Sequence, residues 1–188
     1  MTDPLATFHQ WFEEARAAGV EVPEAMTLAT ADSEGRPSAR MLLLKSADEN
    51  GFSFFTGYES RKGQELAANP RAALVFYWRP LGRQVRVEGP VRRLSPEESD
   101  AYWETRPLRS RAAAAASKQG EPIESRDALE AEFERQLALG EPPRPERWGG
   151  YLLEPDAIEL WQHHDDRLHD RVRFTRAREG WRAQRLAP

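Results

Sequence analysis

Leu5, Phe8, Phe12 and Ala15 recur three and four residues apart, the period of one helix face. Asp3-Pro4 supplies a cap and a first-turn proline, and Gly19 a stop, so the pattern predicts a helix between them. After Pro23 the period falls to two. AMTLATA (25–31), SARMLLLKS (38–46) and FSFFT (52–56) read as strands of an antiparallel meander, joined by the turns DSEGRP and ADENG. SRKGQELAAN (60–69) reads as a short helix started by Ser60, and RAALVFYW (71–78) and RQVRVEGPVRRL (83–94) as two more strands. Ser95-Pro96-Glu97-Glu98 is a capping box that launches a helix through Tyr102 and Trp103, stopping before Pro107. Helical segments follow over SRAAAAAS (110–117) and from Ser125 to Gly140, with EPPRPER (141–147) as a stiff connector. WGGYLLE, AIELWQH, RVRFTR and EGWRAQRL then close the chain as strands.

Strands do not alternate regularly with helices, which argues against a doubly wound sheet. The order predicts an α+β fold, a β-barrel or tightly curled antiparallel sheet with peripheral helices. One domain is expected over 1–188: an N-terminal helix (1–22), main barrel strands (23–94), a helical segment (95–147) and C-terminal strands (148–188).

Apolar residues make up 39% of the chain and charged ones 31%, a globular balance. The longest apolar runs are a few residues, so no membrane span is expected. The start MTDPLATFHQ lacks the basic and apolar regions of a secretory signal, and there is no cysteine; a cytoplasmic location is the expectation. A net charge of −4 gives the whole molecule no pull toward nucleic acid. Neither GxGxxG nor GxxxxGK[ST] occurs. Only Lys45, Lys62 and Lys118 are lysines among 27 basic residues, which draws attention to all three.

Five stretches carry candidate chemistry. RMLLLK sets Arg40 and Lys45 an odd number of residues apart, on opposite faces of an ideal strand unless a bulge or twist intervenes. Ser60-Arg61-Lys62 puts two cations at a helix N-terminus, where only a bound anion would make them favourable. Gln84 opens a strand and alone has little weight. YWETRPLRS offers a phenol, a guanidinium and a hydroxyl, with Tyr102 and Arg106 on one helix face and Ser110 past Pro107. RLHDRVRF (167–174), read as a strand, puts Arg167, His169, Arg171 and Arg173 on one face, meeting either water or an anion. His163, His164, Asp165 and Asp166 lack the spacing of a metal site, so no metal is expected.

The order RMLLLK, FT with SRK, Q, Y-x-x-x-R-x-x-x-S, KQ, WGG, W with RLHDR and a terminal RLAP resembles the pyridoxine/pyridoxamine 5′-phosphate oxidase family, from about Pro23 to Pro188. The resemblance implies a split β-barrel homodimer with FMN at the subunit interface. It places FMN contacts on Arg40, Met41, Leu42, Leu43, Leu44, Lys45, Phe55, Thr56, Arg61, Lys62 and Gln84. Gln119, Gly120, Trp161 and Arg171 come from elsewhere in the dimer. Lys45, Tyr102, Arg106 and Ser110 match the substrate-phosphate contacts, and Arg167 and His169 the catalytic pair beside the substrate ring.

The implied reaction oxidises pyridoxamine 5′-phosphate or pyridoxine 5′-phosphate to pyridoxal 5′-phosphate. A hydride passes from C4′ to flavin N5, and oxygen is reduced to hydrogen peroxide. The chain departs from the family pattern in three places: a short N-terminus, Gly120 where serine is common, and HHDD in place of a Gly-rich approach to RLHDR. The rival readings are a phenazine-type flavin oxidase on the same barrel and a non-catalytic flavin- or pyridoxal-phosphate-binding protein.

Overall fold

The computed structural model describes residues 3–188; Met1 and Thr2, at the head of the predicted N-terminal segment, lie outside the described residues. Helix α1 (Pro4–Ala17) is capped by Asp3, whose side chain accepts from the Leu5 N–H, and Gly19 follows its end at φ 78°. Its apolar stripe buries Leu5, Phe8 and Ala15. Phe8 meets Phe52 and Phe76 edge-on, at centroid distances of 5.0 and 5.1 Å, so the stripe closes one end of the core.

The strands are β1 (Ala25–Ala31), β2 (Pro37–Leu43), β3 (Ser46–Asp48), β4 (Gly51–Gly57), β5 (Arg71–Trp78), β6 (Arg83–Arg93), β7 (Trp148–Leu153), β8 (Ala157–Gln162), β9 (Asp170–Arg176) and β10 (Trp181–Arg185). Helices α2 (Arg61–Ala68), α3 (Pro96–Thr105), α4 (Leu108–Ala116) and α5 (Arg126–Ala138) lie between them. The sheet runs β10-β9-β8-β6-β5-β1-β2, and β7 links the far end of β6 to β4 and β3. This is the curled antiparallel α+β barrel that the residue pattern predicts.

Strand β6 closes the barrel. Residues 83–88 pair with β8, and Val91–Arg93 pair with β7. The bend between them falls at Gly89, where any Cβ would run into the Glu154 carbonyl. Met26, Leu28, Phe52, Phe54, Leu74, Phe76, Val85, Val87, Leu153 and Ile158 fill the interior, each fully buried.

Three predicted elements change. The strand over 38–46 breaks at Leu44-Lys45, because Leu44 turns into the core and donates its N–H to Glu24, while Lys45 donates to Ser53. The third strand does not continue the meander, since β4 pairs with β3 and β7 rather than with β2. RLHDRVRF is a strand only from Asp170, because an Asp166 side-chain turn holds the Leu168 N–H and Arg167 sits at φ 68°. Among the described residues, no helix is long and apolar enough to cross a membrane.

Phe8→Ala removes the ring that joins α1 to the barrel. The expected loss is about 3–5 kcal/mol in denaturant unfolding; a loss below about 1 kcal/mol would mean that α1 is not part of the core.

Candidate active site

A cavity of about 740 Å³ opens where β2, β4, α3, α4 and the segment after α4 meet. Met41, Leu42, Leu43, Lys45, Phe55, Thr56, Tyr102, Arg106, Ser110 and Gln119 all line it. Residues from four separate stretches of sequence therefore share one space.

One end is built on the N-terminus of α2. Lys62 is only 6% exposed. Its Nζ donates to Thr56 Oγ1 (3.1 Å), Ser60 Oγ (3.1 Å) and Gln119 Oε1 (3.0 Å). The Gln119 oxygen also accepts from the Thr56 hydroxyl (2.8 Å) and the Gly57 N–H (3.3 Å). A neutral amide oxygen thus sits in a seat of three donors at a helix N-terminus, as an anion's oxygen would. Burial and then the nearby Arg40 charge lower the Lys62 pKa to about 8, against an opposing pull from Glu65.

The expected pairing of Arg61 with Lys62 is only half present. Arg61 Nε donates to Glu65 one turn on, at 2.8 Å, so in this state it has its own anion. Glu65 is 5% exposed; burial pushes its carboxyl up, but bonds from Ser38, Thr30, Arg61 and Arg40 outweigh that and hold it at about 2. Arg40 therefore points to Glu65, Ser38 and Thr30, away from the cavity and from Lys45.

The other end is aromatic. Tyr102 stacks on Phe55 at 3.9 Å, and Phe55 on Trp148 at 5.5 Å. The Arg106 guanidinium lies 4.5 Å over Trp148 and 5.2 Å over Trp103. Its Nη2 donates to the Ser110 carbonyl, while its Nη1 is buried without a partner. Burial pushes the Arg106 pKa down. The expected shared helix face with Tyr102 does not form: α3 ends at Thr105, and Pro107 forces Arg106 into an extended conformation, φ −74° and ψ 141°. That break swings the guanidinium into the cavity.

The remaining predicted residues lie elsewhere in this copy. Leu44 is in the core, and Gly120 turns the chain beside Gln119 at φ 92°. Gln84, Trp161 and Arg171 face one another in register across β6, β8 and β9, in one row with Tyr77 of β5. The next row runs Met41, Thr27, Val75, Arg86, Glu159, Arg173 on the same face, so the outer side of the sheet connects the cavity rim to Trp161 and Arg171. Met41, Leu43 and Tyr77 are 62%, 42% and 57% exposed on that side. Arg171 is held by buried Glu159 through Nε (3.1 Å) and Nη2 (2.9 Å), and Arg173 by Glu88. His169 packs against Trp161 at 4.8 Å. Gly57, Arg147 and Trp148 also line the cavity without having been singled out as site residues. Of these only Trp148, in the WGG motif, left a sequence signal.

Fold and cavity together define a split-barrel protein with an anion seat at one end and an aromatic-framed guanidinium at the other. Residues 12–139 match the family model described as pyridoxamine 5′-phosphate oxidase, and residues 148–188 the pyridoxine 5′-phosphate oxidase C-terminal dimerisation region. The chain belongs to the pyridoxamine 5′-phosphate oxidase family.

It is 58% identical to the pyridoxine/pyridoxamine 5′-phosphate oxidase of Paraburkholderia phymatum, over 99% of this chain and 89% of that one. Identity to the same-named protein of Rubrobacter xylanophilus is 55%, over 99% and 87%. Among solved structures, PhzG from Burkholderia lata 383, in complex with tetrahydrophenazine-1-carboxylic acid, superposes with a TM-score of 0.96 at 38% identity, covering 100% of this chain and 94% of that one. A Nostoc punctiforme FMN-binding protein shares the fold, with a TM-score of 0.79 at 18% identity over 97% and 96%.

Lys62 sets a pH signature. Its folded pKa lies below that of the unfolded chain, so its charge weakens the ligand-free fold below about pH 8, and the penalty fades between about 8 and 10.5. Affinity for sulfate, whose own charge is constant in this range, should fall about tenfold per pH unit above that point. Lys62→Met should flatten the profile in calorimetric titration; a flat profile in the native chain would contradict the seat.

Proposed function

We propose that this protein is an FMN-dependent oxidase that converts pyridoxamine 5′-phosphate or pyridoxine 5′-phosphate to pyridoxal 5′-phosphate, with oxygen reduced to hydrogen peroxide. The observation that carries this reading is one cavity with a cation at each end on different elements: Lys45 with Arg106 at the aromatic end, and at the other Lys62 of α2, buried just behind the lining residues Thr56, Ser60 and Gln119. A phosphorylated coenzyme and a phosphorylated substrate need such a pair.

Lys62, the Thr56 hydroxyl and the Gly57 N–H fit the FMN phosphate, with Gln119 yielding its oxygen's place. Arg61 adds a second charge once it turns from Glu65, and Met41, Leu42, Leu43 and Phe55 offer apolar and main-chain contacts to the ring system. Arg40 and Leu44 act indirectly, through Glu65 and through the core. FMN, when bound, supplies the hydride acceptor and the electron route to oxygen. Lys45, Tyr102, Arg106 and Ser110 take the substrate phosphate; the unpaired Nη1 of Arg106 is the donor such a group would satisfy. This orients the substrate and excludes water from it.

Gln84, Trp161, Arg167, His169 and Arg171 complete the site from a second copy, while Gly120 stays with Gln119 in the first. The exposed Met41, Leu43 and Tyr77 support the reading that the second copy docks on the outer sheet face, with FMN at the junction. A homodimer accords with the match of residues 148–188 to a dimerisation region.

A second reading, a phenazine-type oxidase, rests on the PhzG superposition. The 53–58% identity to proteins named for the pyridoxine substrates favours the first.

Purified protein should be yellow and, in air, turn pyridoxine 5′-phosphate into aldehyde and peroxide. A yellow protein producing neither is a binder. Arg106→Leu should raise KM for the phosphorylated substrate about 10- to 100-fold, the worth of a charged hydrogen bond, with a smaller change in kcat. An unchanged KM would remove Arg106 from the phosphate site.

A further inference from the structure

The segment His163–His169 joins β8 to β9 as an ordered turn. His163 donates its N–H to Gly82 (2.8 Å), Arg167 to the His164 carbonyl (3.2 Å) and Leu168 to Asp166 Oδ1 (2.9 Å). The reversal brings the His164 main-chain N–H to 3.1 Å from Nδ1 of His169. The His164 ring is tied in turn, its Nε2 lying 3.0 Å from Asp170 Oδ2. Asp170 also pairs with Arg185. Bonds from His164 and then Arg185 hold its carboxyl below the usual range. The His169 ring is flanked by Trp161 at 4.8 Å and by the His163 ring at 5.1 Å.

A backbone N–H can only donate, so the atom it meets must present a lone pair. Nδ1 of His169 therefore carries no proton, and in the neutral ring the proton resides on Nε2. We infer that His164 is a positioning residue whose main-chain N–H locks His169 in the Nε2–H tautomer, so that His169 meets the substrate as a hydrogen-bond donor and not as a base. This rests on the proposed place of His169 beside the substrate ring. It also gives the HHDD segment a role, since the His164–Asp170 pair keeps the turn shut and the turn keeps the donor aimed. An Nε2–H donor would suit an acceptor atom on the substrate ring.

The test joins tautomer to kinetics. Long-range 15N–1H spectra of the holoenzyme at alkaline pH, with His169 assigned by its loss in His169→Gln, should show Nδ1 unprotonated and Nε2 protonated, with no averaging. His164→Pro deletes the N–H and should return His169 to the mixed tautomers of a free ring. His164→Ala keeps the N–H and should keep the lock. Glutamine places an amide N–H near the position of Nε2. His169→Gln should therefore hold kcat within about tenfold of native while His169→Ala falls further, whereas a lost base would cost both variants about 10²–10⁴-fold. A protonated Nδ1 in the native protein, or His164→Pro leaving the spectrum unchanged, overturns the lock. Equal loss in Gln and Ala variants overturns the donor role. Native kcat and KM in both variants would instead remove His169 from the site, a failure of the underlying reading that the spectra distinguish from a failure of the lock.

Discussion

The architecture hinges on the double pairing of β6. Its first half is the partner of β5 and β8, its last three residues the partner of β7, and Gly89 makes the bend that lets one strand serve both. Through β7 the closure reaches β4, which carries Phe55 and Thr56 to the cavity, and through β8 it reaches Trp161 and the register of Arg171. Flatten that bend and both groups of site residues lose their placement together. The aromatic interior of Phe8, Phe52, Phe76 and Trp78 holds the curl chiefly by burial, with the Trp78 indole N–H donating to the Pro23 carbonyl at 2.9 Å.

Within this frame, charge is sorted. Most arginines on the sheet and helices have carboxylates: Arg40 and Arg61 share Glu65, Arg171 takes Glu159, and Arg86 and Arg173 share Glu88. Among the described residues, Lys45, Lys62 and Arg106 form no ion pair; Lys45 and Arg106 line the cavity, and Lys62 sits behind its lining residues Thr56, Ser60 and Gln119. A chain of net charge −4 has carboxylates to spare, so leaving buried Lys62 and half-buried Arg106 unpaired is costly unless an anion is meant to arrive. The depressed Lys62 pKa is the physical sign of that cost. The same logic explains why Gln119, a neutral acceptor, rests in the seat: it satisfies the donors without competing as a charge would.

Local signals were strong wherever short-range chemistry decides structure. The Asp3 cap, the Ser95–Glu98 box, the β1 and β5 boundaries and the curled antiparallel class follow from caps and periods. The candidate site was legible as a set of motifs, and the cavity unites ten of their residues. What the chain did not disclose depends on which of several available partners each group takes. The break at Leu44 is set by Glu24 and Ser53, the diversion of Arg61 by Glu65, and the turn at Arg167 by the Asp166 side chain accepting from the Leu168 N–H and the His164 carbonyl accepting from the Arg167 N–H. Alternation along RLHDRVRF pointed at one cationic face, but only Arg171 and Arg173 lie on it, and each is already neutralised.

The proposed site needs Lys62 and Arg106 from one copy and Trp161 and Arg171 from another. The direct measurement is complementation. Two full-length variants, Lys62→Met and Arg171→Ala, are each expected to be inactive; unfolded together and refolded as a mixture, they should regain about a quarter of native oxidase activity, because each mixed dimer holds one intact site. No recovery in mixtures shown to contain mixed dimers, or full activity in a monomer, would contradict a site divided between two copies.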